Sequence, residues 1–465
     1  IIDRVRQYRE TQGEKKEREG EGMIKFGKTV VKFRIPVLIL SFLLLIPAGI
    51  SYINTRINYD ILSYLPGDID TMKGQDILLE DFGTGAFSLC VVEDMSEKQV
   101  VDLENEIKGV EHVKDVIWYD TLADISIPMD VLPSEIKDAF NNEDKNATLM
   151  IVTFDTSMSA DETLDAIEQL RTLTKQQCFM SGMSAVVTDI KKICNSEAIA
   201  YVILAAGLSA VVLALTMDSF LVPVFFLLSI GMAIIYNLGT NFVSGEISFI
   251  TQALAAVLQL AVTMDYSIFL WHSYQENQER FPGDKKRAMA HAISNTVSSV
   301  VASSVTTVAG FVAMCFMTFT LGLDLGIVMA KGVVLGVLCC VTVLPAMILT
   351  FDGALEKTRH RALIPKFDKM GTFATRKFPI FLVLFVVILI PAVYGYRNTN
   401  VYYDLAGTLP ADLESVQANN KLEEDFNMGA THIILASSDL SHKDASNMID
   451  EINDLDGVAV ALGKD

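Results

Sequence analysis

Apolar residues gather into seven long runs: Ile35–Ile53, Ala198–Met217, Phe220–Val243, Phe249–Trp271, Val297–Phe319, Leu325–Phe351 and Pro379–Tyr396. A helix needs roughly 20 residues at about 1.5 Å each to cross a hydrocarbon core. Each run is near that length, and buried helices of soluble proteins do not repeat at this length so often. The pattern therefore predicts seven transmembrane helices in a polytopic α-helical membrane protein. The first run is too long for a cleavable signal, contains Pro36 and Pro47, and is followed by no small-residue cleavage site.

The polar intervals divide the chain further. Residues 1–34 form an N-terminal segment, 35–54 the first span and 55–197 a large domain. Residues 198–351 hold five spans, 352–378 a linker, 379–397 the seventh span and 398–465 the start of a second domain. Lys25, Lys28, Lys32 and Arg34 precede the first span, and Lys285, Lys286 and Arg287 follow the fourth. Lys357, Arg359, Arg361, Lys366, Lys369, Arg376 and Lys377 follow the sixth. All three groups fall on one side if the spans alternate, and the positive-inside rule makes that side cytoplasmic. The domain at 55–197 is then extracytoplasmic.

That domain reads as mixed α/β. Phe87–Glu93, Val113–Tyr119, Thr148–Phe154 and Cys178–Met180 suit strands. Ser96–Lys108, with Val100, Leu103 and Ile107 at helical spacing and Ser96 as N-cap, suits a helix, as does Ser159–Leu173. Two β-α-β units in succession predict a ferredoxin-like, split arrangement. Met183–Asn195 is expected to run as a helix straight into the second span.

Composition sharpens this picture. Hydrophobic residues make up 51% of the 465, and the net charge is −20. Residues 55–197 carry 28 Asp and Glu against 11 Lys and Arg, so one domain holds most of the negative charge. No loop there has the regular carboxylate spacing of a calcium site, and a solvated acidic surface is the plainer reading. With 28 Gly, 12 Pro and 6 Cys, collagen-like and small disulfide-rich classes are excluded. A pI near 4.7 leaves no basic footprint for nucleic acid.

The chain also repeats itself at a constant offset of 344 residues. Pro47, Asn54, Thr55, Tyr59, Asp60, Leu65 and Pro66 recur as Pro391, Asn398, Thr399, Tyr403, Asp404, Leu409 and Pro410. Glu80-Asp81-Phe82 recurs as Glu424-Asp425-Phe426, and Gly85-Ala86 as Gly429-Ala430. The seventh span is thus the first span of a second copy, an arrangement found in transporters. A protein of about twelve spans and two such domains is expected, of which this chain is a fragment; a stop codon directly after Asp465 would count against that. Residues 1–22 are polar, and Met23 opens the basic lead-in. They read as a translated ribosome-binding region or equally as a cytoplasmic tail.

Ionisable residues at mid-membrane depth are functional hypotheses by default. The fourth span contains Asp265, followed by Tyr266. A carboxyl at that depth is able to hold a proton at neutral pH and release it when hydrated, with the Tyr266 hydroxyl donating or relaying. Gln252, Gln259 and Tyr266, spaced by seven, form a polar stripe that must face protein or water, with Asp265 beside it. The plainer role for Asp265 is one hydrogen bond between helices. Ser303, Ser304, Thr306 and Thr307 of the fifth span are candidate relay supports, though small hydroxyl residues more often serve helix packing. Lys331 of the sixth span either snorkels outward beside Asp324 or reaches Asp265.

Other signals are weaker. Cys315, Cys339 and Cys340 lie in spans and behave as small apolar residues. Cys90, Cys178 and Cys194 lie in the large domain, where a Cys90–Cys178 disulfide is conceivable. His272 and His291 show no metal spacing. No cofactor motif, Walker loop, activated nucleophile or paired catalytic carboxylates is present, so ATP hydrolysis and enzymatic catalysis are not expected.

One span, a large α/β domain, five spans and a second copy of the plan together resemble the resistance–nodulation–division superfamily. Within it, Thr263-Met-Asp265-Tyr266-Ser-Ile-Phe269-Leu is similar to the Gly-x-Asp-Tyr-x-x-Phe-Leu motif of the MMPL branch, with Met264 a minor departure. Ser304–Phe311 resembles the family's fifth span; Asp324–Gly332 and Leu344-Pro345-Ala346 resemble its sixth. The resemblance implies proton-driven export of lipids or other hydrophobic compounds, with protons crossing at Asp265 and Tyr266. It implies membrane lipids, a hydrophobic substrate and protons as partners, and a missing C-terminal half or second subunit to complete the transporter. A proton-driven auxiliary of protein secretion and a sterol-sensing-like sensor share the plan and stand as alternatives.

Overall fold

The computed structural model describes residues 21–122, 134–174, 177–360, 373–400, 406–429, 431–458, 460, 461 and 463. The expectations for residues 1–20, for 361–372 of the linker and for Tyr403, Asp404 and Ala430 of the repeat lie outside the described residues. Two units make up the fold. One, the bundle unit, takes residues up to 57, 198–317 and 322–403; the other, the α/β unit, takes 58–197, 318–321 and 404–465.

The bundle unit opens with α1 (residues 21–32) and α2 (Arg34–Ile53). The chain then enters the α/β unit. There the first copy of the repeated Tyr-Asp pair is structural: the buried Asp60 carboxylate accepts the backbone N–H groups of Leu62 (2.8 Å) and Ser63 (3.3 Å), closing a short turn. Helix α3 (Asp70–Glu80) follows and buries none of its residues.

Next come β1 (Ala86–Glu93), α4 (Glu97–Lys108), β2 (Val113–Ile117), β3 (Ala147–Phe154), α5 (Asp161–Thr174) and β4 (Cys178–Ser181). The strands lie in the order β2-β3-β1-β4, with every neighbour antiparallel and a two-residue strand, Asn141–Asn142, also paired to β3. This is the split β-α-β arrangement. Helix α4 starts where Ser96 and Gln99 form a capping box, and it buries Val100, Leu103 and Ile107. Cys90, Val92, Met150 and Val152 from one sheet face pack with α4 and α5 around Trp118. The indole of Trp118 donates to the Thr148 hydroxyl at 2.8 Å. Both faces of β1 are covered, which is why it reads as a continuous apolar run rather than an alternating one.

Helix α6 (Met183–Thr216) is continuous over 34 residues. Its residues to Glu197 belong to the α/β unit and the rest to the bundle. The bundle continues with α7 (Leu221–Gly239), α8 (Phe249–Arg280), α9 (Lys285–Met314), α10 (Leu321–Thr350) and the short α11 (Asp352–Lys357). Its core draws on α1, α2, α6 to α10 and Leu355 of α11. Helix α12 (Phe378–Arg397) is apolar along its length and buries no residue. Among the described residues, seven helices are long and apolar enough to cross a membrane.

Back in the α/β unit, α13 (Glu414–Phe426) lies on the sheet face opposite α4 and α5. Leu422 and Phe426 pack there with Leu89, Val91, Ala147 and Leu149. Polar contacts hold it in place. The Arg171 guanidinium grips Asp189 in two bonds of 2.7 and 3.1 Å and also meets Glu414 at 2.9 Å, while Ser415 N–H donates to Asp189 at 2.9 Å. Lys421 pairs with Glu93. Residues 431–437, repeat-equivalent to part of β1, form no strand and pair with no strand among the described residues. Helix α14 (His442–Asn453) follows, capped by Ser441.

Candidate functional site in the membrane bundle

Helix α8 carries the candidate chemistry, and its neighbours fix its rotation at three levels. At its start, Ser248 caps the helix by accepting from Ile250 N–H at 3.2 Å. Asp324 of α10 accepts from Ser248 N–H (2.9 Å) and the Thr251 hydroxyl (2.5 Å). One turn on, the Gln252 amide donates to the Tyr52 hydroxyl of α2 at 2.9 Å.

At mid-helix, Gln259 is buried. Its carbonyl oxygen accepts from Asn237 of α7 and its amide donates to the Gly332 carbonyl of α10, both at 3.0 Å. The backbones of α8 and α10 approach closely here because α10 presents glycines. A Cβ on Gly332 would sit 2.6 Å from Asn237 Nδ2, and one on Gly336 would sit 2.2 Å from Thr263 Cγ2. Small residues at a four-residue interval permit such approach in membranes. Toward the far end, Trp271 donates to Asp218 at 3.1 Å.

This registration turns one face of α8 inward. Gln259, Thr263, Tyr266 and Leu270 are buried, and Tyr266 lies among apolar core residues. The opposite face, with Leu258, Ala261, Asp265 and Phe269, is exposed. Asp265 is thus not buried among the described residues and forms no hydrogen bond or ion pair with any of them. Adjacent positions on a helix point about 100° apart, so burying Tyr266 carries Asp265 out.

The fifth-span candidates divide in the same way. On α9, Ser303 and Thr306 are exposed and Ser304 is buried. The hydroxyls of Ser304, Thr306 and Thr307 donate back to their own helix, to the carbonyls of Val300 (2.6 Å), Ala302 (3.3 Å) and Ser303 (3.2 Å). Lys331 does not pair with Asp265 or Asp324: its ammonium donates to Asn241. Asp324 is occupied by Ser248 and Thr251. A hydroxyl and a backbone N–H in range, at the start of α8, hold that carboxylate more closely than a lysine near two turns along α10.

In the α/β unit, Cys90 and Cys178 lie on neighbouring strands as free, buried thiols rather than a disulfide, and Cys194 is also free. Hydrogen bonding with Cys178, together with burial, pushes the Cys90 thiol well above its ordinary value. Sequence reasoning passed over Asn237, Asn241 and Gly336, and gave Gly332 no packing role. The Gly-x-x-x-Gly spacing at 332–336 was the available signal for the last two.

The profile of the MMPL family matches residues 89–377. A membrane protein of Methanocaldococcus jannaschii is 24% identical over 355 residues, covering 68% of this chain and 90% of the relative. A protein of Mycobacterium tuberculosis named as transport protein MmpL12 is 25% identical over 328 residues, which are 67% of this chain and 28% of the relative. The matched part thus spans well under half of the mycobacterial protein. A crystal structure of SecDF in its super-membrane-facing form is similar at a TM-score of 0.38 and 14% identity, covering 70% of this chain and 39% of that one.

Proposed function

The chain belongs to the MMPL family, a branch of the resistance–nodulation–division superfamily, and from that premise we propose that it works in a proton-driven exporter of lipids or other hydrophobic compounds. Asp265 and Tyr266 carry the protons in this reading. The second repeat that begins with α12, or a second subunit, completes the machine. The N-terminus is cytoplasmic and the α/β unit extracytoplasmic, following the lysine and arginine bias of the loops.

One observation carries the proposal: a carboxylate stands within a membrane-length helix on a face that the described residues leave open. Placing an aspartate at a helix centre costs about 2.5–3.5 kcal/mol on insertion scales, and such residues face protein or a water-filled cavity rather than lipid. The open face of α8 therefore calls for a partner helix or a hydrated path. On α9, Ser303 and Thr306 are exposed together with Val301 and Val305, so hydroxyls are available to either. Protonation of Asp265 removes the charge and lowers the cost of a drier arrangement. Alternation between the two is the step that moves the domains.

The test is Asp265→Asn in the full-length protein, which keeps the shape and cannot ionise. Expected is loss of proton-coupled export in membrane vesicles with expression and folding retained. Export at the unsubstituted rate would refute the relay.

A further inference from the structure

The chain carries a net charge of −20, yet a group of its cations converges on one concavity. Helix α1 is seated on the first turns of α9. Gly27 comes so close that an added Cβ would stand 2.4 Å from the Ala290 carbonyl oxygen, and Val30 and Val31 are buried in the bundle core. A cavity of about 1120 Å³ opens between α1, the start of α2 and the start of α9. Lys25, Lys28, Lys32, Arg34, Lys286 and Arg287 line it, against two acids, Glu21 and Asp284. Asp284 is already engaged as the N-cap of α9, accepting from Arg287 N–H at 2.9 Å.

Among the described residues none of these six cations forms an ion pair. Lys285 makes the contrast. One position from Lys286, it is held by Asp352 at 2.7 Å and by Glu356. Arg287 is steadied rather than swinging, its guanidinium 4.5 Å from the Phe281 ring, on which His291 also stacks. Loop charge bias explains cations on one side of a membrane. It does not require that segments some 250 residues apart in sequence bring theirs to one cavity.

The lining also says what kind of anion fits. It continues from the charges to Ile35 and Pro36 at the head of the first span. Ile35 is 54% exposed, and Phe33, two positions before it, is 47% exposed, so the apolar head of the span is open beside the charges. The head of a span lies at the interfacial depth of a bilayer, and basic pockets between helices at that depth suit lipid headgroups. We propose that this cleft binds the phosphate headgroup of an anionic bilayer lipid, the cations of α1 and α9 closing on the phosphate and the acyl chains running along Ile35 and Pro36. The site is independent of Asp265 and of what is exported.

The test is native mass spectrometry of the detergent-solubilised full chain with phosphatidylglycerol or phosphatidylcholine, beside thermal unfolding with the same lipids or with inorganic phosphate alone. Lys28, Lys286 and Arg287 are exposed, so Lys28→Gln/Arg287→Gln should fold normally. At about 1 kcal/mol per basic residue, the double variant should hold phosphatidylglycerol roughly 30-fold more weakly. Lys357→Gln, which removes one positive charge at an exposed position of α11, should leave retention unchanged. Equal retention of the two lipids, undiminished retention by the double variant, or equal loss in Lys357→Gln would overturn the proposal. Stabilisation by millimolar inorganic phosphate but not by phosphatidylglycerol would overturn the lipid assignment in favour of a free anion.

Discussion

Phe82 and Phe426 occupy equivalent positions in the two copies of the repeat, yet their surroundings differ. Phe426 is 8% exposed and packs with Leu422 against Leu89, Val91, Ala147 and Leu149 of the sheet, while Phe82 is 57% exposed. Truncating a buried phenylalanine to alanine costs about 3–5 kcal/mol, whereas an exposed position changes stability by about 0.5 kcal/mol or less. Phe426→Ala should therefore loosen α13 from the sheet and Phe82→Ala should not. The readout is amide hydrogen exchange of residues 414–426 in the detergent-solubilised chain. At about 1.36 kcal/mol per tenfold change, protection should fall by roughly two to three and a half orders of magnitude, limited by the opening energy of the helix itself. Protection within about threefold of the unsubstituted protein in Phe426→Ala, or an equal fall in Phe82→Ala, would refute the assignment of α13 to this sheet.

Three further outcomes are expected. Gly336→Ala places a Cβ 2.2 Å from Thr263 Cγ2 and should cost about 1–3 kcal/mol by overpacking; Gly207→Ala, with nothing within 4 Å, is the control, and equal thermal midpoints for the two would sink the close-packing account. Asp189→Ala leaves the Arg171 guanidinium, 13% exposed, with Glu414 as its remaining partner and takes the acceptor from Ser415 N–H, and should destabilise the α/β unit by about 1–3 kcal/mol, followed through Trp118 fluorescence in a Trp271→Phe background; Arg171→Met/Asp189→Leu should recover most of the loss, and a single variant as stable as the double would contradict the buried pair. Because hydrogen bonding with Cys178 and burial raise the Cys90 thiol, alkylation at mildly alkaline pH should tag Cys178 before Cys90, and peptide mapping that finds the reverse order would reject that assignment.

Local signals carried much of the fold. The Ser96 cap, the apolar runs of β1 and β3 and the unbroken helical pattern after Met183 each act within a few residues, so they are readable in sequence order. The facing of α8 was not. A helix apolar on nearly all sides has little amphipathic asymmetry, so nothing local says which side of Asp265 meets the bundle. That was decided by Gly332 and Gly336, more than 65 residues away in sequence, through contacts with Gln259 and Thr263. The partner of Lys331 was equally hidden, because Asn241 lies on a different element and amide–ammonium pairs leave no periodic trace. The cover on the far sheet face was also illegible: α13 is an amphipathic helix like many others, and its seat on β1 joins residues over 300 positions apart.

The seat of α1 on α9 has a consequence in time. Gly27 leaves the ribosome 263 residues before Ala290, roughly 13 to 53 s earlier at ordinary elongation rates of about 5–20 residues per second. Throughout that interval the α9 surface that α1 covers does not yet exist. Only when the fifth helix has been made does α1 find its place. The docked α1 is thus a late event in biogenesis, and its protection from protease would report that the N-terminal bundle has been assembled.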